Sequence, residues 1–333
     1  MKVTMKDVAK KASVSPSTVS RVISGNEKIS EKTRKKVLKI MKELDYHPNI
    51  SARNLAINKT KTLGLILPNA TQEFIHNPFF IKSMAGISNA AKENDYYIMY
   101  GNAKNEKEEV KLLKHFARAG VVDGVILTHV RSDDKSIKLL RDLNFPYITI
   151  GRQKFKDSLW VDNDNISAMY KVVSYLINKG NKNISFIGGD HKLTVTIDRL
   201  KGYKKALNKY DLKIDSKLIK EIGFTKSDGY NVVKSLLKDK PSIDAVVTTD
   251  DLLAFGVLNF LEEEGLNNKV SVAGFNNTPL SKYRKPTLTS VDINAQKLGY
   301  YAAKLLIQKL NDSKIDRKNK VIDTQLIKRE STL

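Results

Sequence analysis

The chain has 333 residues, 41% of them hydrophobic and 28% charged, which is typical of globular proteins and excludes fibrous or disordered classes. It carries a formal net charge of +22 and no cysteine, so disulfide frameworks and thiolate metal sites are excluded. No apolar run could span a bilayer, and the amino terminus lacks the apolar segment of a secretory signal. We expect two or three domains, a cytoplasmic location and no membrane partner.

Positive charge is concentrated at the amino end. Residues 1–61 contain fifteen Lys and Arg against five Asp and Glu, a net charge of +10, which leaves +12 for the other 272 residues. A basic amino-terminal module on a less basic body suits nucleic-acid binding through neutralisation of phosphates. The alternative is a lysine-rich composition in general, which accounts for much of the lysine elsewhere.

The first 45 residues predict three short helices. Each begins after a hydroxyl residue suited to N-capping, namely Thr4, Ser15 and Ser30. Only the turn at residues 13–14 separates the first two helices. The third, residues 31–44, has apolar residues at helical spacing, which are Val37, Leu38, Met41 and Leu44. This is the helix-turn-helix arrangement, in which the second helix lies in the major groove of DNA.

The second predicted helix, residues 16–24, has an unusual exposed face. Val19, Val22 and Ile23 face inward, and Pro16 occupies the first helical position, where its missing N–H is harmless. The outward residues are small hydroxyls and one arginine: Ser15, Ser17, Thr18, Arg21 and Ser24. Hydroxyls and a helix amino terminus bind phosphate, and an arginine can hold a guanine edge with two hydrogen bonds. We interpret this face as a DNA-docking surface; an ordinary capped surface helix is the alternative.

The rest of the chain alternates strands and helices. A breaker, YHPN at 46–49, precedes the segment ISARNLAIN, which is helical in pattern but too short to be stable alone. From Thr62 onward, eight apolar runs alternate with amphipathic segments; they are LGLIL, YYIMY, DGVIL, PYITIG, ISFIGG, DAVVTT, VSVAGF and LTSVD. This predicts an α/β fold whose parallel sheets form two similar lobes that divide near Val161. Ligands of such sheets bind beyond the carboxyl ends of the strands, here in a cleft between lobes.

The sequence therefore predicts three segments. Residues 1–48 form a helix-turn-helix DNA-binding domain and residues 49–61 a hinge helix and linker. Residues 62–333 form a two-lobed core for effector binding and dimerisation.

Several runs closely resemble the LacI/GalR family of bacterial transcription regulators. They are TVSRV at 18–22, YHPN at 46–49, the hinge leucine and the terminal LIKRESTL, and the resemblance covers essentially the whole chain. It implies a three-helix DNA-binding domain and a core like that of periplasmic binding proteins. Within the family the chain is most similar to the maltose-operon repressors of Gram-positive bacteria, through NPFF at 77–80, DGVILT at 123–128 and FPYITIGR at 145–152.

The resemblance implies roles for individual residues toward DNA. The positions that match the family's base-reading residues are Pro16, Ser17 and Arg21, and those that match phosphate contacts are Thr4, Ser15, Thr18, Ser24 and Ser30. Leu55 matches the leucine that the hinge helix inserts into the minor groove, with Ala56 beside it. Such insertion unstacks a base step and bends the duplex.

The resemblance also implies effector-binding residues. Arg199 matches the family arginine that holds effector hydroxyls or carboxylates, and Asp250 and Asn276 match other cleft positions, although family members often carry Asp at the latter. Phe224 matches an aromatic residue against which the effector packs, and Phe79 and Arg152 lie at the facing rim. Alternatives stay open: Asp250 is also a suitable helix cap, Arg199 could pair with Asp198, and Trp160 suits either sugar stacking or the core.

The expected function is a homodimeric, non-enzymatic repressor of a carbohydrate-utilisation operon. It binds palindromic double-stranded operator DNA and is released by a small sugar, maltose or a related α-glucoside. No nucleotide-binding or nucleophile-elbow motif occurs, and the five histidines include no H-x-x-x-H, so we expect no enzymatic activity, no cofactor and no metal. The absence of a heptad segment before Leu333 favours a dimer over a tetramer. The alternatives are a sugar-binding protein and a global carbon-catabolite regulator with a protein co-effector.

Overall fold

The computed structural model describes residues 3–23, 26, 28–47, 59–68, 77–155, 157–313 and 318–332. The chain divides into two compact units, residues 1–60 and 61–333. Among the described residues, no helix is both long and apolar enough to cross a membrane. Three of the predicted DNA-binding residues, Ser24, Leu55 and Ala56, lie outside the described residues, as does most of the predicted hinge.

The first unit contains the three predicted helices, α1 (Met5–Ala12), α2 (Pro16–Ile23) and α3 (Glu31–Glu43). All three predicted caps are confirmed. Thr4 and Asp7 form a reciprocal capping box, the Ser15 hydroxyl accepts a hydrogen bond from the backbone N–H of Thr18 (3.1 Å), and Ser30 accepts one from Thr33. Ser13 adopts a left-handed conformation (φ 53°) that ends α1 and forms the turn into α2.

The small core of this unit corrects one prediction. Val8, Val19 and Val22 are buried against α3, but Leu38 is 49% exposed. The face of α3 that packs inward carries Val37, Ile40, Met41 and Leu44, at the spacing i, i+3, i+4 and i+7. Leu38, one residue beyond Val37, is turned about 100° away from that face, given 3.6 residues per turn.

The second unit contains two six-stranded sheets with helices on them, which we call lobe 1 and lobe 2. Lobe 1 contains β1 (Thr62–Pro68), α4 (Pro78–Glu93), β2 (Tyr97–Ala103), α5 (Glu106–Ala119), β3 (Gly124–Leu127), α6 (Lys135–Asp142), β4 (Tyr147–Ile150), β5 (Trp160–Asn163), α11 (Ala295–Leu310) and β11 (Asn319–Ile322). Its sheet has the order β11-β5-β4-β3-β1-β2, and every pair is parallel.

Lobe 2 repeats this architecture. It contains α7 (Asn165–Asn178), β6 (Ile184–Gly188), α8 (Thr194–Lys209), β7 (Ile219–Glu221), α9 (Lys226–Asp239), β8 (Ala245–Thr248), α10 (Asp251–Glu263), β9 (Ser271–Phe275), β10 (Thr289–Asp292) and β12 (Gln325–Ile327). The sheet order is β12-β10-β9-β8-β6-β7, and only β12 is antiparallel to its neighbour. The predicted α/β class with parallel sheets is confirmed.

Two details of the predicted organisation differ. The chain passes between lobes three times, after β5, β10 and β11, so the division near Val161 is only the first passage. Four strands were not predicted: β5, β7, β11 and β12. They are short, with sequences WVDN, IKE, NKVI and QLI, and none has more than two consecutive apolar residues.

The close crossing of α4 and α11 positions one wall of the cleft. A Cβ atom on Gly299 would lie 2.0 Å from the carbonyl oxygen of Ser83, and one on Gly86 would lie 2.0 Å from that of Gln296. The two backbones therefore touch. Phe79 and Leu298, one on each helix, line the cavity described below.

Replacing Gly299 with alanine tests this crossing. Helix propensity alone would favour alanine by about 1 kcal/mol. Because the added Cβ meets backbone, we expect the substitution instead to lower the free energy of unfolding by about 1–3 kcal/mol, measured by urea denaturation. Lys297→Ala, at an exposed position on the same helix, is the control and should change it by less than about 0.5 kcal/mol. A stabilised Gly299→Ala protein would contradict the packing.

Candidate ligand cavity and nucleic-acid interface

A cavity of about 390 Å³ lies between lobe 1 and lobe 2. Its volume falls in the range of small-molecule sites, about 300–1,000 Å³. The lining includes residues that directly follow the carboxyl ends of β3, β4, β8 and β9, which are Thr128, Gly151, Thr249 and Asn276. This is the predicted location, because loops at that edge of a parallel sheet leave a crevice.

Arg199, on α8, lines the cavity and is 5% exposed. Its Nε donates to Asn165 Oδ1 (3.0 Å) and its Nη1 to the carbonyl oxygen of Thr249 (2.5 Å), and the guanidinium lies over the ring of Phe275. Burial lowers the pKa of Arg199 to about 10, while Asp250 and other carboxylates partly offset this, so the group stays charged at neutral pH. The alternative pairing with Asp198 is not observed.

Asp198 instead pairs with Lys201. The Lys201 Nζ lies 3.0 Å from Asp198 Oδ1, one turn along the exposed side of α8. Arg199, the next residue, is rotated about 100° around the helix from Asp198, and its hydrogen bond to Asn165 holds its side chain at the cavity.

Asn165 connects Arg199 to lobe 1. Its Nδ2 donates to Asp162 Oδ1 (2.9 Å), and Asp162 Oδ2 accepts from the backbone N–H of Arg152 (2.9 Å). Burial raises the pKa of Asp162 to about 6, although the backbone N–H groups of Asn163 and Arg152 oppose the shift. Asn165 and Asp162 both line the cavity, and neither was predicted from the sequence. Neither has a local signal, because their roles depend on contacts between lobes.

Arg152 is the one predicted effector residue that the structure does not bring to the cavity. Its side chain is exposed, and its guanidinium lies over the Trp160 ring at 5.2 Å. Gly151, which precedes it, lines the cavity and has φ 128°, and this turn directs the next side chain outward. Arg152 contributes to the cavity wall only through its backbone N–H, which donates a hydrogen bond to Asp162.

Asp250 both caps a helix and lines the cavity. Its Oδ1 accepts from the backbone N–H of Leu252 (2.7 Å) at the start of α10. Its Oδ2 accepts from Asn276 Nδ2 (2.7 Å) and from Asn77 Nδ2 (2.9 Å). Burial raises the pKa of Asp250 to about 7. Because Asn77 belongs to lobe 1, this carboxylate joins the two lobes.

Asp251, the next residue, has a different role. It does not line the cavity, and its carboxylate accepts from Thr278 N (2.7 Å), Ser281 Oγ (2.8 Å) and Ser290 Oγ (2.6 Å). These bonds hold the segment that follows β9, which begins with Asn276. Asn276 itself has φ 99°, a conformation that asparagine adopts more readily than most residues.

Two aromatic residues predicted at the site, Phe79 and Phe224, line the cavity. Phe79 packs edge-on against Phe80, with ring centroids 5.1 Å apart. The Phe224 ring lies directly on Gly189, where a Cβ atom would come within 1.9 Å of the ring. Gly189 thus provides the space in which the Phe224 ring sits.

The predicted DNA-docking face lies on the first unit. The hydroxyl oxygen of Ser15 is 2.7 Å from that of Ser17 and 2.9 Å from that of Thr18, so three hydroxyls cluster at the start of α2. The other predicted DNA-contacting residues that the structure describes are exposed, namely Thr4, Pro16, Arg21 and Ser30. Exposed lysines on α1 and α3 add positive charge to this unit, and they include Lys6, Lys10, Lys32, Lys35 and Lys36.

Comparison with known proteins decides the family. Residues 4–49 match the model of the bacterial regulatory proteins of the lacI family, and residues 173–332 match a periplasmic binding protein-like domain. The chain is 42% identical over 316 residues to the HTH-type transcriptional regulator MalR of Streptococcus pneumoniae, covering 94% of each chain. The chain belongs to the LacI family. It is a DNA-binding transcriptional regulator.

Two further relatives agree with this assignment. The catabolite control protein A of Priestia megaterium is 34% identical, with 95% of each chain covered. The solved structure of the transcriptional regulator CelR in complex with cellobiose has a TM-score of 0.78 at 29% identity, and the match covers 99% of this chain and 100% of that one. The helix-turn-helix and the two parallel-sheet lobes are therefore the LacI-family architecture.

A double-mutant cycle tests the contact between Gly189 and Phe224. We expect Gly189→Ala to lower the free energy of unfolding by about 1–3 kcal/mol, because the new Cβ collides with the ring. In a Phe224→Ala background the same change should cost less than about 0.5 kcal/mol, since the ring is gone. Urea denaturation of the four proteins gives the coupling. If Gly189→Ala lowered the free energy of unfolding equally in both backgrounds, the Phe224 ring would not lie on Gly189.

Proposed function

We propose that this regulator represses a carbohydrate-utilisation operon and leaves its operator when a neutral sugar, maltose or a related α-glucoside, enters the cavity. One observation carries the proposal: planar polar groups of Arg199, Asp250 and Asn276 converge with the rings of Phe79 and Phe224 in one cavity of about 390 Å³. Planar guanidinium, carboxylate and amide groups can each hold two oxygens or hydroxyls, and aromatic rings cover the apolar side of a bound molecule.

The choice of maltose follows from relatives. Two of them, in Streptococcus pneumoniae and Staphylococcus xylosus, are named MalR, at 42% and 34% identity. A solved structure, 26% identical with a TM-score of 0.75, is described as a probable maltose operon transcriptional repressor. These names support an α-glucoside over other sugars.

In this proposal residues 1–48 bind the operator, residues 49–61 form the hinge and residues 62–333 bind the sugar. The sugar shifts the equilibrium only if it binds the non-operator conformation more tightly. Hydrogen bonds between the lobes on two sides of the cavity could differ between the two conformations, and the sugar can then bind one conformation more tightly than the other. Lys82 donates to Asn277 O (3.0 Å) and Asn77 to Asp250 on one side, and Thr194 N donates to Val130 O (2.9 Å) on the other.

Two substitutions should separate DNA binding from sugar response. Arg21→Ala should weaken binding to a palindromic operator about 10- to 100-fold and leave maltose affinity unchanged, because Arg21 lies in the DNA-binding unit. Arg199→Ala should keep operator affinity within about threefold and abolish release by maltose; Arg199→Lys, which keeps the charge but loses the planar fork, should also lose most of the response.

The measurement is fluorescence anisotropy on the operator and on a scrambled duplex across a salt series, with and without maltose. Wild-type protein released from the operator by maltose supports the proposal. If maltose still released the Arg199→Ala protein from the operator, Arg199 would not be a sugar-binding residue. Wild-type operator binding that neither maltose nor related glucosides alter would favour a regulator with a protein co-effector.

We further propose that the protein binds DNA as a homodimer through an exposed apolar patch. The patch comprises Ile81 on α4, Tyr100 on the edge strand β2, and Leu280 and Tyr283 after β9. The bond from Lys82 to Asn277 brings α4 close to the segment that carries Leu280. A second copy of the chain is the natural partner, because a palindromic operator requires two symmetric DNA-binding units.

Sedimentation velocity tests the patch. Tyr283 is 79% exposed, so Tyr283→Asp should fold normally and shift the protein from dimer to monomer at micromolar concentration; Tyr100→Asp should do the same. Phe155→Asp is the matched control, since Phe155 is also an exposed aromatic residue but follows β4, away from the β2 edge of the sheet. A dimer that survives both patch substitutions would locate the interface elsewhere.

A further inference from the structure

Lys61 is the residue at which the chain enters the unit that contains both lobes. It is the last residue of the predicted linker, residues 49–61, and the first residue of the second compact unit. Strand β1 of lobe 1 begins at the next residue, Thr62. Contacts that hold Lys61 therefore determine the direction in which the chain leaves lobe 1 on its amino-terminal side.

The backbone turns sharply at Lys61. Its φ is 52°, in the left-handed region that lysine rarely adopts. The Lys61 carbonyl oxygen still accepts from the backbone N–H of Tyr97 (2.7 Å), beside the paired strands β1 and β2. The Lys61 N–H does not bond to a strand and donates instead to the carboxylate of Asp123, at Oδ2 (2.9 Å). A residue in this conformation persists only where its surroundings hold it, and the Asp123 carboxylate is one such contact.

Two side chains, one from each neighbouring strand, fix Lys61. Asp123 directly precedes β3, and its own backbone N–H donates to Thr62 O (2.8 Å), so its carboxylate is tied to the sheet beside β1. Tyr96 directly precedes β2 and is 5% exposed, and the Lys61 ammonium lies 4.4 Å from the centre of its ring. We call Lys61, Tyr96 and Asp123 the Lys61 junction.

The Lys61 junction also contacts a helix that extends to the cavity. The Tyr96 hydroxyl lies 3.4 Å from Asn311 Oδ1, at the carboxyl end of α11. Leu298, in the first turn of the same helix, lines the cavity. Lobe 1 thus holds the junction through β2, β3 and α11, and a rotation of the lobe would carry the junction with it.

We propose that Asp123 is a positioning residue for operator binding: by holding the Lys61 N–H it limits the directions of the chain that carries the DNA-binding unit. This rests on the proposed binding of a palindrome by a homodimer. The stiffness of the two connections decides which separations of the half-sites both DNA-binding units can reach. If the chain rotated freely at Lys61, the dimer would reach several separations, with a lower effective concentration at each.

Two duplexes that differ only in half-site separation test the proposal. One is the palindrome that the wild-type protein selects from a random duplex pool, and the other has one additional central base pair, which moves the half-sites apart by about 3.4 Å and turns them by about 35°. We expect the wild type to bind the first duplex about 100-fold more tightly than the second. For Asp123→Ala we expect a preference of about 10-fold or less, because binding to the first duplex weakens while binding to the second does not.

The measurement is fluorescence anisotropy, with two control variants. Asp123→Asn keeps an oxygen that can accept from the Lys61 N–H and should retain at least about a third of the wild-type preference. Asp142→Ala removes an exposed carboxylate at the end of α6 and should retain all of it. Melting temperatures of the variants report on folding.

Three outcomes would overturn the proposal. An equal loss of affinity for both duplexes in Asp123→Ala would make the role of Asp123 structural only. A wild-type preference in that variant would show that the chain direction does not depend on the carboxylate. Wild-type protein that binds both duplexes equally would instead refute the proposed binding of a palindrome by a homodimer, and the role of Asp123 with it.

Discussion

The geometry of the cavity depends on one buried carboxylate, that of Asp250. It caps α10, holds the amide of Asn276 and accepts the amide of Asn77 from the opposite lobe. Removing a carboxylate from water is costly unless several donors surround it, so these three donors and the nearby Arg199 are mutually required. A ligand that approaches Asp250 must compete with the amide of Asn77, and that competition connects the contents of the cavity to the contact between lobes.

Three buried carboxylates in and beside the cavity make folding less favourable near neutral pH. Burial raises the pKa values of Asp162, Asp250 and Asp251 to about 6, 7 and 6, above the ordinary value of 3.8. A folded-state pKa above the unfolded one means that the folded chain binds more protons, so each carboxylate makes folding less favourable as the pH rises from about 4 to about 7. Asp162 and Asp250 line the cavity, whereas Asp251 holds the segment that follows β9.

Features set by neighbours in the chain could be predicted from the sequence, and features set by distant contacts could not. The caps Thr4, Ser15 and Ser30 were predictable because a cap bonds a group two or three residues away. Strands β5 and β11 were not, because WVDN pairs with β4 and β11, and NKVI becomes a strand by pairing with β5, more than 150 residues away. The same limit applies to the site. Family resemblance placed Arg199 and Phe224 at the cavity but not His129, and it also included Arg152, whose side chain is directed outward by one glycine turn.

The departure from the family at position 276 follows from the same carboxylate. Family members often carry Asp where this chain has Asn276, and here Asn276 Nδ2 lies 2.7 Å from Asp250 Oδ2. A second carboxylate at that distance would be repelled strongly inside the protein, whereas the amide supplies the donor that Asp250 needs. Asn276 therefore supplies Asp250 with a donor that an ionised aspartate at position 276 would lack. Since both line the cavity, the pair offers a ligand the carbonyl oxygen of the amide together with the carboxylate edge, and both favour ligands rich in hydroxyl donors.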